Sequence, residues 1–199
     1  MIGRIVAFRD PVHARSAWAN PATRDQVVQT PQGAPYAGYG GFTNFAHPAV
    51  RGYNVDIAEE AARRGVDDIL YDYVRRPDGP RSGMVFPGLR GNPERAVAGF
   101  LAEARGRLGR RGAFLGASVF GIAATRPGEI AQDIGLIARE VDYVAPMLYP
   151  SHWAPGEYGV ADPNADPYGI VRRSLEDFLR APVPSVARRK SSSERRTIP

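Results

Sequence analysis

Two spacings of apolar residues alternate along the chain, and together they predict strands that alternate with helices. Short apolar runs rich in β-branched and aromatic residues are typical of strands buried in a parallel sheet. Such runs occupy residues 4–8, 66–74, 114–121 and 141–150. Between and after them, apolar residues three or four positions apart predict amphipathic helices. This alternation predicts βαβ units and therefore an α/β fold with a parallel sheet.

The predicted helices have recognisable ends. Pro48 and Gly65 suit the start and the C-terminal cap of a helix over residues 48–64, and Asn92-Pro93 begins a second helix that ends at Gly109. Thr125 or its neighbours are predicted to cap a third helix through Ala138, and Asp166-Pro167 to begin a fourth. Residues 12–45 predict a long connection that contains a short helix or a hairpin, and loops of that length are usually functional.

Asp72 is the main candidate for chemistry. Side chains alternate along a strand, so Leu70, Asp72 and Val74 share one face of the run 66–74. An unpaired buried carboxylate is costly, so Asp72 requires a partner or a function. Arg75 is the nearest candidate partner. A structural ion pair that closes the strand is the alternative to a catalytic carboxylate.

Polar and aromatic residues recur at the carboxyl ends of the predicted strands. Asp10, Asp72, Ser118 and the group around Tyr149 all lie there. In a βα barrel this end of the strands forms the active face. No strand is followed by a Gly-x-Gly-x-x-Gly loop, which argues against a dinucleotide-binding fold.

Several segments resemble a known family, the putative glycoside hydrolase domains, which are largely catalogued as a domain of unknown function and assigned to TIM-barrel sugar hydrolases. The segments that carry the resemblance are residues 4–11, 53–61, 71–75, 119–121 and 146–153. The resemblance implies a partial (β/α)8 TIM barrel of about four βα units, roughly half of the usual ~250-residue barrel. It also implies a saccharide cleft, and an extracytoplasmic setting for full-length relatives.

The chain departs from the family pattern at two places. Ser118 stands where the family usually has an aspartate, so the second carboxylate on the neighbouring strand is missing. The family's barrel also has strands before Arg4 and after the last helix, so we expect a central fragment. We expect residues 1–180 to form a partial TIM-barrel glycoside hydrolase-like domain. Residues 181–199 are expected to be a disordered Arg/Ser/Pro-rich tail outside the family, produced by a frameshift or a truncated gene model.

Glycoside hydrolysis usually requires two carboxyl groups. We expect Asp72 to serve as nucleophile or charge stabiliser, held ionised by Arg75. Glu157 is the preferred proton donor, because Trp153 and Tyr158 could desolvate it, and Asp10 is the other candidate. An exposed loop glutamate without a catalytic role is the alternative for Glu157. The residues expected to bind substrate, as flat or polar partners of a sugar, are the following: Asp10, Arg75, Ser118, Tyr149, His152 and Trp153.

Composition narrows the remaining classes. The 199 residues contain no cysteine, which excludes disulfides and thiolate sites, and the three histidines lack metal-binding spacing, so we expect no metal or other cofactor. The net charge is +5, and six basic residues and one acidic residue among the last twenty account for all of it. We therefore expect no specific nucleic-acid partner. No signal peptide or membrane span is predicted, which favours a soluble chain.

The sequence thus predicts a hydrolase that acts on the O-glycosidic bond of a polysaccharide or oligosaccharide by carboxylate catalysis. One alternative, which Ser118 favours, is a carbohydrate-binding barrel without hydrolysis. Another is an inactive truncated fragment, whose open sheet edges and apolar faces would favour self-association.

Overall fold

The computed structural model of the chain describes residues 1–181, which form an α/β structure around one parallel sheet. The four strands lie in the order β1-β2-β3-β4, so each strand neighbours the next one in the sequence. Their bounds are Ile2–Val6 for β1, Asp68–Asp72 for β2, Phe114–Phe120 for β3 and Tyr143–Met147 for β4. The predicted α/β class and parallel sheet are confirmed.

Five α-helices connect or follow the strands. Their bounds are Pro11–Ala19 for α1, Pro48–Arg63 for α2, Pro93–Leu108 for α3, Ile134–Glu140 for α4 and Pro167–Arg180 for α5. A side chain caps the start of each helix by accepting backbone N–H bonds. Proline follows four of these caps, as its fixed φ angle and missing N–H suit the first helical position. None of the helices within the described residues is long and apolar enough to cross a membrane.

The helices cover the outer face of the sheet. Ile69, Tyr71 and Leu115 are buried there among residues of α2 and α3. The Tyr71 hydroxyl donates to the backbone oxygen of Asn54 at 2.9 Å, and its ring meets that of Phe100 edge to face at 4.9 Å. Burial raises the pKa of Tyr71. This layer is the main core, and it packs β2 against α2 and α3.

The opposite, inner face of the sheet is open within residues 1–181. Phe114 on this face is 58% exposed, and Val6 is 40% exposed. The Tyr143 ring lies over Gly116, leaving no room for a side chain there, and its hydroxyl donates to Asp68 at 2.9 Å. Burial and this bond raise the pKa of Tyr143 to about 12. The inner face therefore combines exposed apolar groups with a few paired polar ones.

The connection after β3 differs from the prediction, whereas the connection after β1 contains the short helix that was one of its two predicted forms. The third predicted helix begins only at Ile134, because short 3-10 turns and a left-handed Ala131 (φ 58°) precede it. The long connection after β1 begins with α1, whose cap is Asp10. Of the predicted tail, only Ala181 lies within the described residues.

Candidate functional site

A cavity of about 610 Å³ lies at the carboxyl ends of β2, β3 and β4. Aromatic, cationic and acidic side chains line it together. The aromatic and charged side chains of the lining are Arg76, Asp78, Arg81, Phe120, Arg126, Glu129, His152 and Glu157. This is the edge of the sheet at which the sequence placed the candidate site.

A flat ring surface forms one wall of this cavity. His152 lies parallel to Phe120, with ring centroids 4.7 Å apart and an interplanar angle of 10°. The exposed ring of Tyr149 meets His152 edge to face at 5.0 Å. Burial and the nearby charge of Arg75 lower the pKa of His152, so the imidazole is neutral at pH 7. The surface offers a flat face and a neutral hydrogen-bonding group side by side.

Asp72 is buried at the end of β2, but the prediction that Arg75 is its partner is wrong. Arg4 on β1 binds it instead, with Nε 3.0 Å from Oδ2. The backbone N–H of Tyr73 donates to Oδ1 at 2.7 Å. Tyr73 itself has a left-handed backbone (φ 50°), a conformation that stores strain in a residue with a side chain. Asp72 lies on the inner face at the carboxyl end of β2, and it is not among the cavity's lining residues.

Arg75 points away from Asp72 into an aromatic cluster. Its Nη1 donates to Asp78 at 2.5 Å, and the side chain is only 3% exposed. The guanidinium lies over the rings of Tyr39, Tyr73 and Phe120 at 5.0 to 5.6 Å. Cation–π contacts of this kind place Arg75 behind the ring wall of the cavity.

Glu157 does line the cavity, but its surroundings differ from those expected. Nη2 of Arg126 donates to both carboxylate oxygens, at 3.0 and 3.1 Å. Trp153 is 6% exposed and packs on Tyr158, with ring centroids 4.7 Å apart. It therefore does not form an open ring surface over Glu157. Burial and the bond to Asp177 raise the pKa of Tyr158 to about 12. Glu157 is therefore an ion-paired carboxylate, and Trp153 is a core residue.

Asp10 caps a helix, and Ser118 is buried on the sheet. Oδ1 of Asp10 accepts the backbone N–H groups of Val12 and His13, at 3.0 and 2.9 Å, and so caps α1. Ser118 is 7% exposed on the inner face of β3, whose neighbouring residue Ala117 pairs with Tyr71 of β2. The structure thus places Ser118 on the strand next to Asp72, as the sequence indicated.

Two buried polar residues that the sequence analysis missed hold this edge together. Gln132 accepts the N–H of Phe120 at 2.8 Å and donates to the oxygens of Val74 and Ser118. Arg76 donates to backbone oxygens on both sides of the cavity, including that of Gly128 at 3.2 Å. Burial, and next the charge of Arg81, lower the pKa of Arg76. Neither residue belongs to a recognisable motif, so no sequence signal marked them.

The family model described as "Putative glycosyl hydrolase domain" matches residues 1–188. The chain belongs to this glycosyl hydrolase family. The resemblance inferred from the sequence is confirmed. No curated protein matches the chain.

Solved structures similar to this glycosyl hydrolase-family chain are matched over only part of their length. A hypothetical protein from Ruminiclostridium thermocellum is 28% identical, with 58% of this chain and 56% of that chain covered and a TM-score of 0.49. The "putative sporulation-specific glycosylase ydhD" of Bacillus subtilis is 25% identical, with coverages of 73% and 45% and a TM-score of 0.47. The spore cortex-lytic enzyme SleL of Bacillus megaterium is 19% identical, with coverages of 71% and 29% and a TM-score of 0.46.

The chain therefore spans about half or less of these matched proteins. Because all three TM-scores are below 0.5, the family assignment rests on the sequence model. Within residues 1–181 of this family member, no three His, Asp or Glu side chains are grouped closely enough to hold a metal ion.

Proposed function

We propose that this domain is part of a (β/α)8 barrel that hydrolyses the O-glycosidic bond of an oligosaccharide or polysaccharide. The order β1-β2-β3-β4, with helices on one face and an open inner face, supports half of such a barrel. Membership of the glycosyl hydrolase family supports the reaction class.

The cavity at the carboxyl ends of the strands is the single observation that carries the proposal. Active sites of (β/α)8 barrels lie at this end of the strands. The parallel rings of Phe120 and His152 present a flat surface to it, and Tyr149 extends that surface. Sugars offer apolar C–H faces and hydroxyl groups, which suit a flat ring beside carboxylate and guanidinium groups. We propose this cavity as the saccharide site.

Asp72 is the carboxylate that we assign to the reaction. Its carboxylate pairs with Arg4, and an ionised carboxylate suits a nucleophile or a stabiliser of positive charge in the transition state. Arg4 is 61% exposed on its side chain, so it can move aside without breaking packed structure. For Glu157 we propose a substrate-binding role, since a carboxylate that accepts two bonds from Arg126 is not placed to donate a proton.

Carbohydrate binding without hydrolysis is the second candidate. Two observations favour it: Ser118 stands on the strand beside Asp72, and the other predicted acids, Asp10 and Glu157, are engaged by a helix cap and by Arg126. Hydrolysis needs a second carboxyl group about 5–9.5 Å from the first.

Release of reducing sugar by the full chain, measured alongside saccharide affinity, tests both candidates. Asp72→Asn should abolish turnover and retain binding. Asp68→Asn is the matched control, because Asp68 begins the same strand on the same face and pairs with Tyr143. Binding without turnover in the unmodified chain would favour the second candidate. The absence of both binding and turnover would reject the two proposals together.

A further inference from the structure

Positive charge exceeds negative charge around the cavity. Three arginines and three carboxylates line it: Arg76, Arg81, Arg126, Asp78, Glu129 and Glu157. Arg75 lies behind Phe120 of this lining, and Arg9, which is outside the lining, shares the rings of Tyr39 and Tyr73 with Arg75. Asp78, the ion-pair partner of Arg75, is already counted among the lining carboxylates. These eight side chains comprise five cations and three anions, and Glu94, whose charge acts on Arg76, adds a fourth anion.

Individual cations of this set affect the pKa values of two neighbouring groups, His152 and Arg76. The charge of Arg75 contributes, after burial, to the lowered pKa of His152, and the charge of Arg81 contributes in the same way to that of Arg76. A cation lowers the pKa of a neighbouring cationic group because it disfavours a second positive charge. Arg75 and Arg81 therefore favour an anion at the cavity edge, whereas the carboxylates of Asp78, Glu94 and Glu129 act on Arg76 in the opposite direction.

Three guanidiniums at this edge form no ion pair within residues 1–181: Arg76 and Arg81, which donate to backbone oxygens, and Arg9. Among residues 1–181 no carboxylate lies within ion-pair distance of Arg9, and its one hydrogen bond goes to the Tyr73 hydroxyl at 3.2 Å. The next residue, Asp10, directs its carboxylate to the start of α1. Nε of Arg9 is covered and has no partner within the described part of the chain, so a ligand would reach the group at its terminal nitrogens.

The rings around Arg9 fix its position. Its guanidinium carbon lies 5.0 Å from the ring centre of Tyr73 and 5.7 Å from that of Tyr39. Both tyrosines have left-handed backbones, with φ of 50° and 57°, and Tyr39 donates its hydroxyl to Asp78. Strain of this kind persists where surrounding contacts enforce it, often at binding sites. Arg9 is thus a preplaced cation beside rings that a sugar can contact.

We propose that the saccharide recognised by this domain is acidic, and that Arg9 binds a carboxylate carried on one of its sugar units. This inference rests on the proposed saccharide site. The planar guanidinium of Arg9 matches a carboxylate with two parallel N–H bonds. Arg75 adds positive charge behind the same rings, and its own Nε has no partner among the described residues.

Binding calorimetry on the full chain tests the inference. The probes are oligomers of galacturonate, mannuronate and hyaluronan, each paired with its carbodiimide-reduced form, in which CH₂OH replaces the carboxylate. We expect at least one acidic oligomer to bind about ten- to a hundredfold tighter than its reduced form. Arg9→Gln should remove this difference and leave the affinity for the reduced form unchanged. Arg9→Lys, which keeps the charge but not the planar fork, should retain part of it.

Arg64→Gln is the matched control, because it removes the same charge from an exposed side chain just after α2, near the opposite edge of the sheet. Arg64→Gln should keep the full preference for the acidic oligomer over its reduced form. That result would show that a specific contact, rather than net charge, causes the preference. Equal affinity for acidic and reduced oligomers would overturn the inference and leave the saccharide site standing. A preference that survives Arg9→Gln would also overturn it. Failure of every oligomer to bind would remove the inference together with the proposed function.

Discussion

Arg4 on β1 holds the buried carboxylate of Asp72 on β2, with Nε 3.0 Å from Oδ2. The two side chains differ sharply in exposure, at 61% for Arg4 and 3% for Asp72. The pair therefore joins a buried anion to a largely exposed cation. In the proposed barrel, Arg4 would lie between the interior and the carboxylate, so that a substrate reaching Asp72 must displace it.

Removal of Arg4 should destabilise the fold. Arg4→Met leaves the Asp72 charge with one remaining hydrogen bond, from Tyr73. We expect a loss of about 1–2 kcal/mol in the free energy of unfolding, less than the 3–5 kcal/mol typical of a fully buried pair because Arg4 is largely exposed. Urea denaturation measures this loss.

A second substitution separates the buried charge from lost packing. Adding Asp72→Asn to Arg4→Met removes the unpaired anion, so the double variant should be more stable than Arg4→Met alone. Arg172→Met is the control, because its exposed pair with Glu176 should contribute less than about 0.5 kcal/mol. A double variant no more stable than the single one would contradict this account of Asp72.

Gln132 should be difficult to replace, since it joins the ends of β2 and β3. Gln132→Leu leaves the N–H of Phe120 and the oxygens of Val74 and Ser118 without their partner. We expect a loss of about 2–4 kcal/mol in the free energy of unfolding, because each buried polar group left unpaired costs about 1–3 kcal/mol. Thermal and urea unfolding both report this loss.

Gln132→Glu tests the direction of those hydrogen bonds. Its carboxylate can still accept from Phe120, but it would face the oxygens of Val74 and Ser118 with no proton to donate. Burial and these oxygens raise the pKa of the introduced carboxyl, so the folded state binds the proton more tightly than the unfolded state. The stability of Gln132→Glu should therefore approach that of the parent as pH falls from 7 to 5. The deficit of Gln132→Leu should stay constant, and parallel pH profiles would contradict the assignment.

Two glycines near the end of α3 should respond oppositely to the same added methyl group. Neither Gly106, within the helix, nor Gly112, just after it, has a heavy atom within 4 Å of a built Cβ. Gly106→Ala should stabilise the fold by about 0.4–1 kcal/mol, because alanine favours helix and restricts the unfolded chain. Gly112 has φ 75°, so Gly112→Ala should destabilise it by about 1–2 kcal/mol. Equal effects in urea denaturation would show that backbone conformation does not decide these positions.

Local patterns predicted much of the fold. Residues 114–121 were expected to form a strand and β3 spans Phe114–Phe120, while Asn92 caps α3 as its sequence indicated. These features depend on neighbours within a few positions, so the sequence displays them directly. The third predicted helix was too long because apolar spacing does not reveal the left-handed turn at Ala131.

Partners across the sheet could not be predicted in the same way. The nearest arginine in sequence to Asp72 is Arg75, yet the partner is Arg4, 68 positions away. Strand register decides this pairing, since Val6 lies opposite Asp72 and Arg4 reaches along the same face. Glu157 likewise meets Arg126 through the fold of two loops, 31 positions apart. Sequence proximity was a poor guide wherever the contact depended on sheet register or loop path.

His152 should show how the charge of the cavity acts on a titrating group. Burial, and next the charge of Arg75, lower its pKa, so an NMR titration should give a value below the usual 6.5. A histidine with a lowered folded pKa binds protons first in the unfolded state, so its contribution to stability is lost as pH falls through about 6.5. His152→Gln should therefore flatten the fall in unfolding free energy between pH 7 and pH 5.

The same titration separates the two causes. Arg75→Met removes the positive charge behind Phe120 and should move the pKa of His152 back towards 6.5, while the stacking on Phe120 persists. Arg64→Met removes an equal charge from an exposed position after α2 and should leave the pKa unchanged. If both variants shifted the pKa equally, net charge would be the cause rather than proximity. A pKa of His152 at or above 6.5 in the unmodified chain would contradict the effect of the Arg75 charge, on which the preference for an acidic saccharide partly depends.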